Sequence, residues 1–219
     1  NSSAASDVYK RQVFKQWKLL GILHEIRHSI RQKRKLRKWE KNGRPVPPPP
    51  LFKQKTVKKY AEKYSVRILI ETGTYKGNMV YATRKTFKKI ISIELDKVLY
   101  EQAKERFAAF PHIAILKGDS GTLLPEILSE IDEPCLFWLD AHYSGGKTSR
   151  GNLETPVIQE LRHILGHCVD GHVILIDDAR NFTGKNDYPA IEEVRKLIFE
   201  NFSHWTFEVK DDIIRIHRN

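Results

Sequence analysis

Short apolar runs recur along the chain at 68–70, 90–93, 113–116, 135–139 and 173–176, each followed by a polar stretch with helical periodicity. Continuous rather than alternating apolarity marks strands buried on both faces, as in a parallel sheet covered by helices. Strands are therefore expected near 67–71, 90–94, 113–117, 135–140 and 172–177. Helices are expected near 54–64, 77–87, 96–109, 121–130, 154–167 and 189–201. The tail, WTFEVKDDIIRIHR, breaks this rhythm with two strand-like runs around Lys210-Asp211-Asp212, which predicts a tight hairpin and one antiparallel strand. Upstream, Val13, Trp17, Leu20, Leu23, Ile26 and Ile30 fall at spacings of three and four, predicting an amphipathic helix over 13–41. The segment RPVPPPP (44–50) then predicts an extended polyproline spacer, because proline neither donates to a helix nor lets its predecessor turn helical. The expected organisation is an arm at 13–43, a spacer at 44–50 and an α/β domain at 51–219.

Charge sharpens this division. The net charge is +11, yet residues 13–44 hold eleven Lys/Arg against Glu25 and Glu40, a balance of +9, and residues 1–12 add +1. The remaining body is almost neutral, so the basicity belongs to the arm. Three partners suit a cationic helix carrying Trp and Leu: the body or a second copy of the chain, an anionic lipid surface, or a nucleic acid. Cys135 and Cys168 have neither metal-ligand nor redox spacing, so a disulfide framework is not expected and a reducing, cytoplasmic setting is. In that setting the arm offers a peripheral route to a membrane. Residues 3–12, SAASDVYKRQ, resemble the translated read-through of a sequencing adapter, so 1–12 are read as non-native.

Candidate chemistry clusters at the predicted strand ends. Glu71-x-Gly73-x-x-x-Gly77 ends the first strand with a sharp turn that lets backbone approach a ligand, and the next helix N-terminus offers free N–H groups. Tyr75 stands where a dinucleotide fingerprint needs its second glycine, which argues against a nicotinamide enzyme. Glu94, at the tip of the second strand, can accept both ribose hydroxyls of a nucleoside. After the third strand, Asp119 can accept from an adenine amino group, while Ser120 is placed to cap the following helix. Glu71-Thr72-Gly73-Thr74-Tyr75-Lys76-Gly77, Glu94, Gly118-Asp119-Ser120 and the terminal hairpin together resemble a class I S-adenosylmethionine-dependent methyltransferase over about residues 54–219. The resemblance implies a Rossmann-like, doubly wound seven-stranded sheet ordered 3-2-1-4-5-7-6 with strand seven antiparallel. It also implies a cofactor pocket in which Glu71, Gly73, Thr74, Tyr75 and Gly77 face the methionine part, Glu94 the ribose, and Asp119 and Ser120 the adenine, with Asp140 at its edge.

The fourth and fifth strands run into Asp140, His142, Asp177 and Asp178. Three carboxylates in one cleft repel unless a cation is present, and oxygen-rich, thiol-free ligation suits Mg²⁺, Mn²⁺ or Ca²⁺. The arrangement is similar to metal-dependent O-methyltransferases of the macrocin O-methyltransferase and cephalosporin hydroxylase-like group, which implies a metal site at Asp140, Asp177 and Asp178. Asp178 departs from the Asn that the catechol type carries last. Asp140 and His142 are the candidate catalytic groups, since a hydroxyl nucleophile needs its proton weakened or removed. The intervening loop, AHYSGGKTSRGNLETP, reads as a glycine-hinged lid whose Lys147 and Arg150 face an anionic or sugar-bearing substrate. The expected activity is O-methylation of a small molecule, sugar or glycan. The rivals are a nucleic-acid methyltransferase using the arm, against which Leu139-Asp140-Ala141-His142 lacks the Asn/Asp-Pro-Pro-aromatic pattern, and a non-catalytic cofactor-binding or membrane-associated module.

Overall fold

The computed structural model describes residues 26–140, 155–185 and 187–218, so Val13, Trp17, Leu20 and Leu23 of the expected arm lie outside the described residues. The chain divides into two units, Asn1–Phe52 and Lys53–Asn219. In the first, α1 (residues 26–41) is helical, with Leu36 and Trp39 buried and Arg27, Arg31, Arg34 and Lys38 exposed. Gly43 and Arg44 then take left-handed backbone angles, and the Arg44 N–H donates to the Trp39 carbonyl. This reversal folds the proline segment back, so that the Trp39 indole N–H donates to the Pro45 carbonyl at 2.6 Å. The Trp39 ring packs on Phe52 at 4.7 Å between centroids, with the Arg44 guanidinium against both rings. Residues 44–50 are thus not the extended spacer that their composition predicts. The last proline, Pro50, opens α2 (Pro50–Lys63), a position where its missing N–H costs nothing.

The second unit follows the predicted alternation: β1 (Ile68–Thr72), α3 (Asn78–Thr83), β2 (Lys89–Glu94), α4 (Lys97–Phe107), β3 (Ile113–Lys117), α5 (Ser120–Ser129), β4 (Cys135–Leu139), α6 (Val157–Leu165), β5 (Val173–Ile176), a short 3₁₀ turn at Ala179–Asn181, α7 (Ile191–Asn201), β6 (Trp205–Lys210) and β7 (Ile213–Arg218). The sheet order is β3-β2-β1-β4-β5-β7-β6, with β7 antiparallel to both neighbours. Every residue of β1, β4 and β5 is buried, as continuous apolar runs require of central parallel strands. The hairpin turn is the dipeptide Asp211-Asp212, both at positive φ, the two-residue geometry whose twist matches the flanking strands.

Register brings the chemistry to one edge. Thr72 lies beside Ile93 and Leu139, and Leu139 beside Ile176. The residues that follow, Gly73, Glu94, Asp140 and Asp177, therefore emerge together at the carboxyl ends of the parallel strands. Strand order reverses between β1 and β4, which opens the crevice in which open α/β sheets bind their ligands. Among the described residues, no helix is long and apolar enough to cross a membrane.

Candidate active site

At the β1 tip, Gly73 (φ 88°) and Thr74 both donate their N–H to the Ile93 carbonyl, which pulls the turn across onto β2. Tyr75 is left-handed at φ 48°, an unusual conformation for a bulky residue, and its N–H donates to Glu94 Oε2 at 2.6 Å. Glu94 Oε1 accepts from the Asp96 N–H at 2.9 Å. Both carboxylate oxygens are thus held by peptide donors, with Leu95 adding to Tyr75 and Asp96, and a carboxylate's several lone pairs leave capacity for a ligand hydroxyl. Burial raises the Glu94 carboxyl above its usual range against the pull of those donors. Behind it, the Ser92 hydroxyl donates to Glu71 Oε2 at 2.5 Å and, having spent its proton, accepts from the Thr74 hydroxyl at 2.6 Å. Burial, with Asp140 and Glu94 nearby, pushes the Glu71 carboxyl up to about 8.

The turn after β3 differs from expectation in one detail. Asp119, not Ser120, is the N-cap of α5, accepting the Thr122 N–H at 3.2 Å. Ser120 is the first helical residue, and its hydroxyl donates to Glu160 Oε1 of α6 at 2.5 Å. Glu160 is 1% exposed, and burial, reinforced by Asp119 and Asp140, pushes its carboxyl up to about 7. Its position on α6, forty residues from Ser120, gave no reason to single it out by motif, apart from an acid on the apolar face of that helix.

Asp140 continues the β4 ladder by donating its N–H to the Thr72 carbonyl, and Asp177 does the same to Leu139. Asp178 adopts a left-handed backbone (φ 54°) at the entry to the 3₁₀ turn, and its N–H donates to Asp177 Oδ1. These turns bring Asp140, Asp177 and Asp178 together, each offering one oxygen within 4.8 Å of the others. The donor set has the hardness and size that suit a divalent ion. A side chain that no motif singles out, however, already meets two of the three: Lys53 Nζ lies 2.5 Å from Asp177 Oδ2 and 3.0 Å from Asp178 Oδ1. Arg180 Nη1 adds a bond to the same Asp178 oxygen at 2.9 Å and pairs with Asp212 Oδ2. As arranged, the carboxylates accommodate a divalent ion only if Lys53 leaves.

The charge balance follows. Burial alone raises Asp178, but Lys53 and Arg180 outweigh it and hold the carboxyl below its usual value. Asp177 moves the other way, well above its usual value, because its deeper burial and the charge of Asp140 exceed the pull of Lys53. Burial alone lowers the Lys53 ammonium, yet its two carboxylate partners raise it. Beside this cluster a narrow cleft is lined by Asp140, Asp177, Glu160, Thr155, Phe182 and Tyr188. The structure places Glu71, Gly73, Thr74, Tyr75, Gly77 and Glu94 around one turn, and gathers Asp140, Asp177 and Asp178 into another group. His142, Lys147 and Arg150 lie outside the described residues.

No family model matches the sequence, and no curated protein matches it. Solved structures do match the fold. An O-methyltransferase from Bacillus cereus, in complex with S-adenosylhomocysteine, is 14% identical, with 85% of this chain and 90% of that one covered at a TM-score of 0.58. TomG of Streptomyces achromogenes, an O-methyltransferase involved in tomaymycin synthesis and solved with S-adenosylmethionine, is 16% identical over 76% and 80% of the two chains, at 0.56. The Podospora anserina methyltransferase PaMTH1, bound to S-adenosylhomocysteine, is 17% identical over 76% and 78%, at 0.55. With its strand order, antiparallel seventh strand and glycine turn facing the β2 acid, this chain has the fold of the class I S-adenosylmethionine-dependent methyltransferases.

Proposed function

We propose that the protein is an S-adenosylmethionine-dependent methyltransferase that methylates a hydroxyl group of a small molecule, sugar or glycan. The observation that carries this is the pairing of the left-handed Gly73–Gly77 turn with Glu94, whose carboxylate keeps capacity for a ribose hydroxyl. The residues present fit the cofactor: a close-approach turn, a diol-binding carboxylate, and the buried acid Glu71 beside a site that must receive an ammonium. Bound there, the cofactor supplies a methyl carbon activated by the sulfonium charge. The transfer breaks the methyl–sulfur bond, with its electrons staying on sulfur, and forms a methyl–oxygen bond at the acceptor. The hydroxyl proton must leave, and His142 or Asp140 is the group assigned to take it. Asp177, raised by burial, lines the adjoining cleft together with Phe182 and Tyr188.

Calorimetric titration of the full chain with S-adenosylhomocysteine tests this reading. Wild type should bind, and Glu94→Ala should weaken binding by about 100-fold or more, since it removes charge-assisted bonds of about 1.5–3 kcal/mol each. No binding by wild type of undiminished melting temperature would end the proposal.

A second reading rests on α1. Arg27, Arg31, Arg34 and Lys38, at spacings of four, three and four, form an exposed cationic row suited to a polyanion. A nucleic-acid acceptor predicts RNA or DNA binding that falls steeply with salt, and salt-independent or absent binding returns the acceptor to the small-molecule class. The same row suits anionic lipid or self-association, which vesicle co-sedimentation and sizing would separate.

A further inference from the structure

The acidic group at the β4 and β5 tips raises a question of charge. Asp140, Asp177, Asp178 and Asp212 are countered by Lys53 and Arg180, and Arg180 is committed to Asp178 and Asp212. Lys53 spans the two carboxylates that a metal would need most, Asp177 at 3% and Asp178 at 10% side-chain exposure. A hard cation binds carboxylate oxygens at about 2.0–2.6 Å, through the same lone pairs that the Lys53 ammonium now engages. The two cannot share the site. Lys53 sits in the first turns of α2, with its stem mostly buried, so its head cannot withdraw without leaving Asp177 without its ammonium partner and Asp178 to Arg180 alone.

We propose that the Lys53 ammonium is the resident cation of this acidic site, in the place where a divalent metal was expected. An ammonium has three N–H donors, and among the described residues two are given to Asp177 and Asp178, with the third proposed to meet an oxygen of the acceptor entering the adjoining cleft. Lys53 is thus a positioning cation for the acceptor, and methyl transfer here needs no divalent ion. The charge assignment stands on the ion pairs alone. The role toward the acceptor rests on the methyltransferase reading.

Manganese titration, read by electron paramagnetic resonance of the free ion, separates the two. Wild type and Lys53→Gln are titrated with Mn²⁺ alone, and S-adenosylhomocysteine binding is measured in parallel as a report on the cofactor half and on folding. Wild type should take up no ion, while Lys53→Gln should bind one at least tenfold more tightly, and Asp177→Asn in that background should abolish the gain. Lys53→Met, which keeps the aliphatic stem, serves if the glutamine variant does not fold. One equivalent of Mn²⁺ on wild type, lost in Asp177→Asn, would mean that metal displaces Lys53 and would overturn the proposal. Equal, negligible uptake by wild type and both Lys53 variants would also overturn it, because the carboxylates would then not form a cation site. Absence of S-adenosylhomocysteine binding by folded wild type, with the Mn²⁺ pattern as expected, would remove the methyltransferase reading and leave the charge assignment standing.

Discussion

The two halves of the crevice handle buried acid in opposite ways. At the β1 and β2 tips, the donors to Glu71 and Glu94 are a serine hydroxyl and peptide N–H groups, all neutral, and burial raises both carboxyls. At the β5 tip the donors to Asp177 and Asp178 include an ammonium and a guanidinium. The first half is short of positive charge and favours a ligand that brings it, as a sulfonium cofactor with an ammonium group does. The second half carries its own. A single sheet edge thereby presents a cation-seeking surface and a cation-supplied one side by side, which suits binding a charged donor next to a neutral acceptor.

The comparison can be broken most strongly at Glu160, which accepts from Ser120 and forms no ion pair with a cation among the described residues. Its folded pKa of about 7 exceeds the ordinary 4.5, so the folded state holds a proton that the unfolded chain releases. The resulting stability is fully present below pH 4.5 and is lost as pH rises through 7. Glu160→Gln keeps an acceptor for the Ser120 hydroxyl without the charge. Urea titration should find it close to wild type near pH 4.5 and more stable by about 3 kcal/mol at pH 8. A difference that does not change with pH would show that the acid is not charging at the expense of the fold.

The charged half can be probed by removing its parts singly and together. Lys53→Gln leaves Asp177 and Asp178 facing each other, and should cost about 2 kcal/mol in urea unfolding, less than for a fully buried pair because the lysine side chain is 17% exposed. Adding Asp177→Asn should restore at least half of that loss, which a simple packing defect at position 53 would not allow.

How far these features could be read from the chain depended on how local their causes are. Strand runs, the Gly73 turn, Glu94 and the Asp211-Asp212 hairpin are each set by a few consecutive residues, and their positions agree with the periodicity to within a few residues. The sheet order came through the family resemblance, not through periodicity. Lys53 is different: 124 residues separate it from Asp177, and nothing in KQKTVKK (53–59) distinguishes it from its neighbours Lys55, Lys58 and Lys59. Glu160 is similarly remote from Ser120, and the Trp39–Pro45 contact that folds the proline segment depends on an indole six residues upstream. Three carboxylates at adjacent strand tips call for a cation, and motif spacing suggests a metal because a lysine on a distant helix is invisible to it.

The uncharged half yields the gentlest test and the one closest to function. Because burial holds Glu71 at about 8, its carboxyl is largely protonated at pH 6, while a ligand ammonium beside it favours the ionised form. Binding of S-adenosylhomocysteine must then release a proton at low pH, and its affinity should rise by about tenfold between pH 6 and pH 8. Glu71→Gln should flatten that profile while leaving the Glu94 contribution in place. Titration in two buffers of different ionisation enthalpy counts the protons directly. If wild type released none at pH 6.5, Glu71 would be ionised before the ligand arrives, and the contrast between a half that awaits its cation and a half that carries one would fail at its first member.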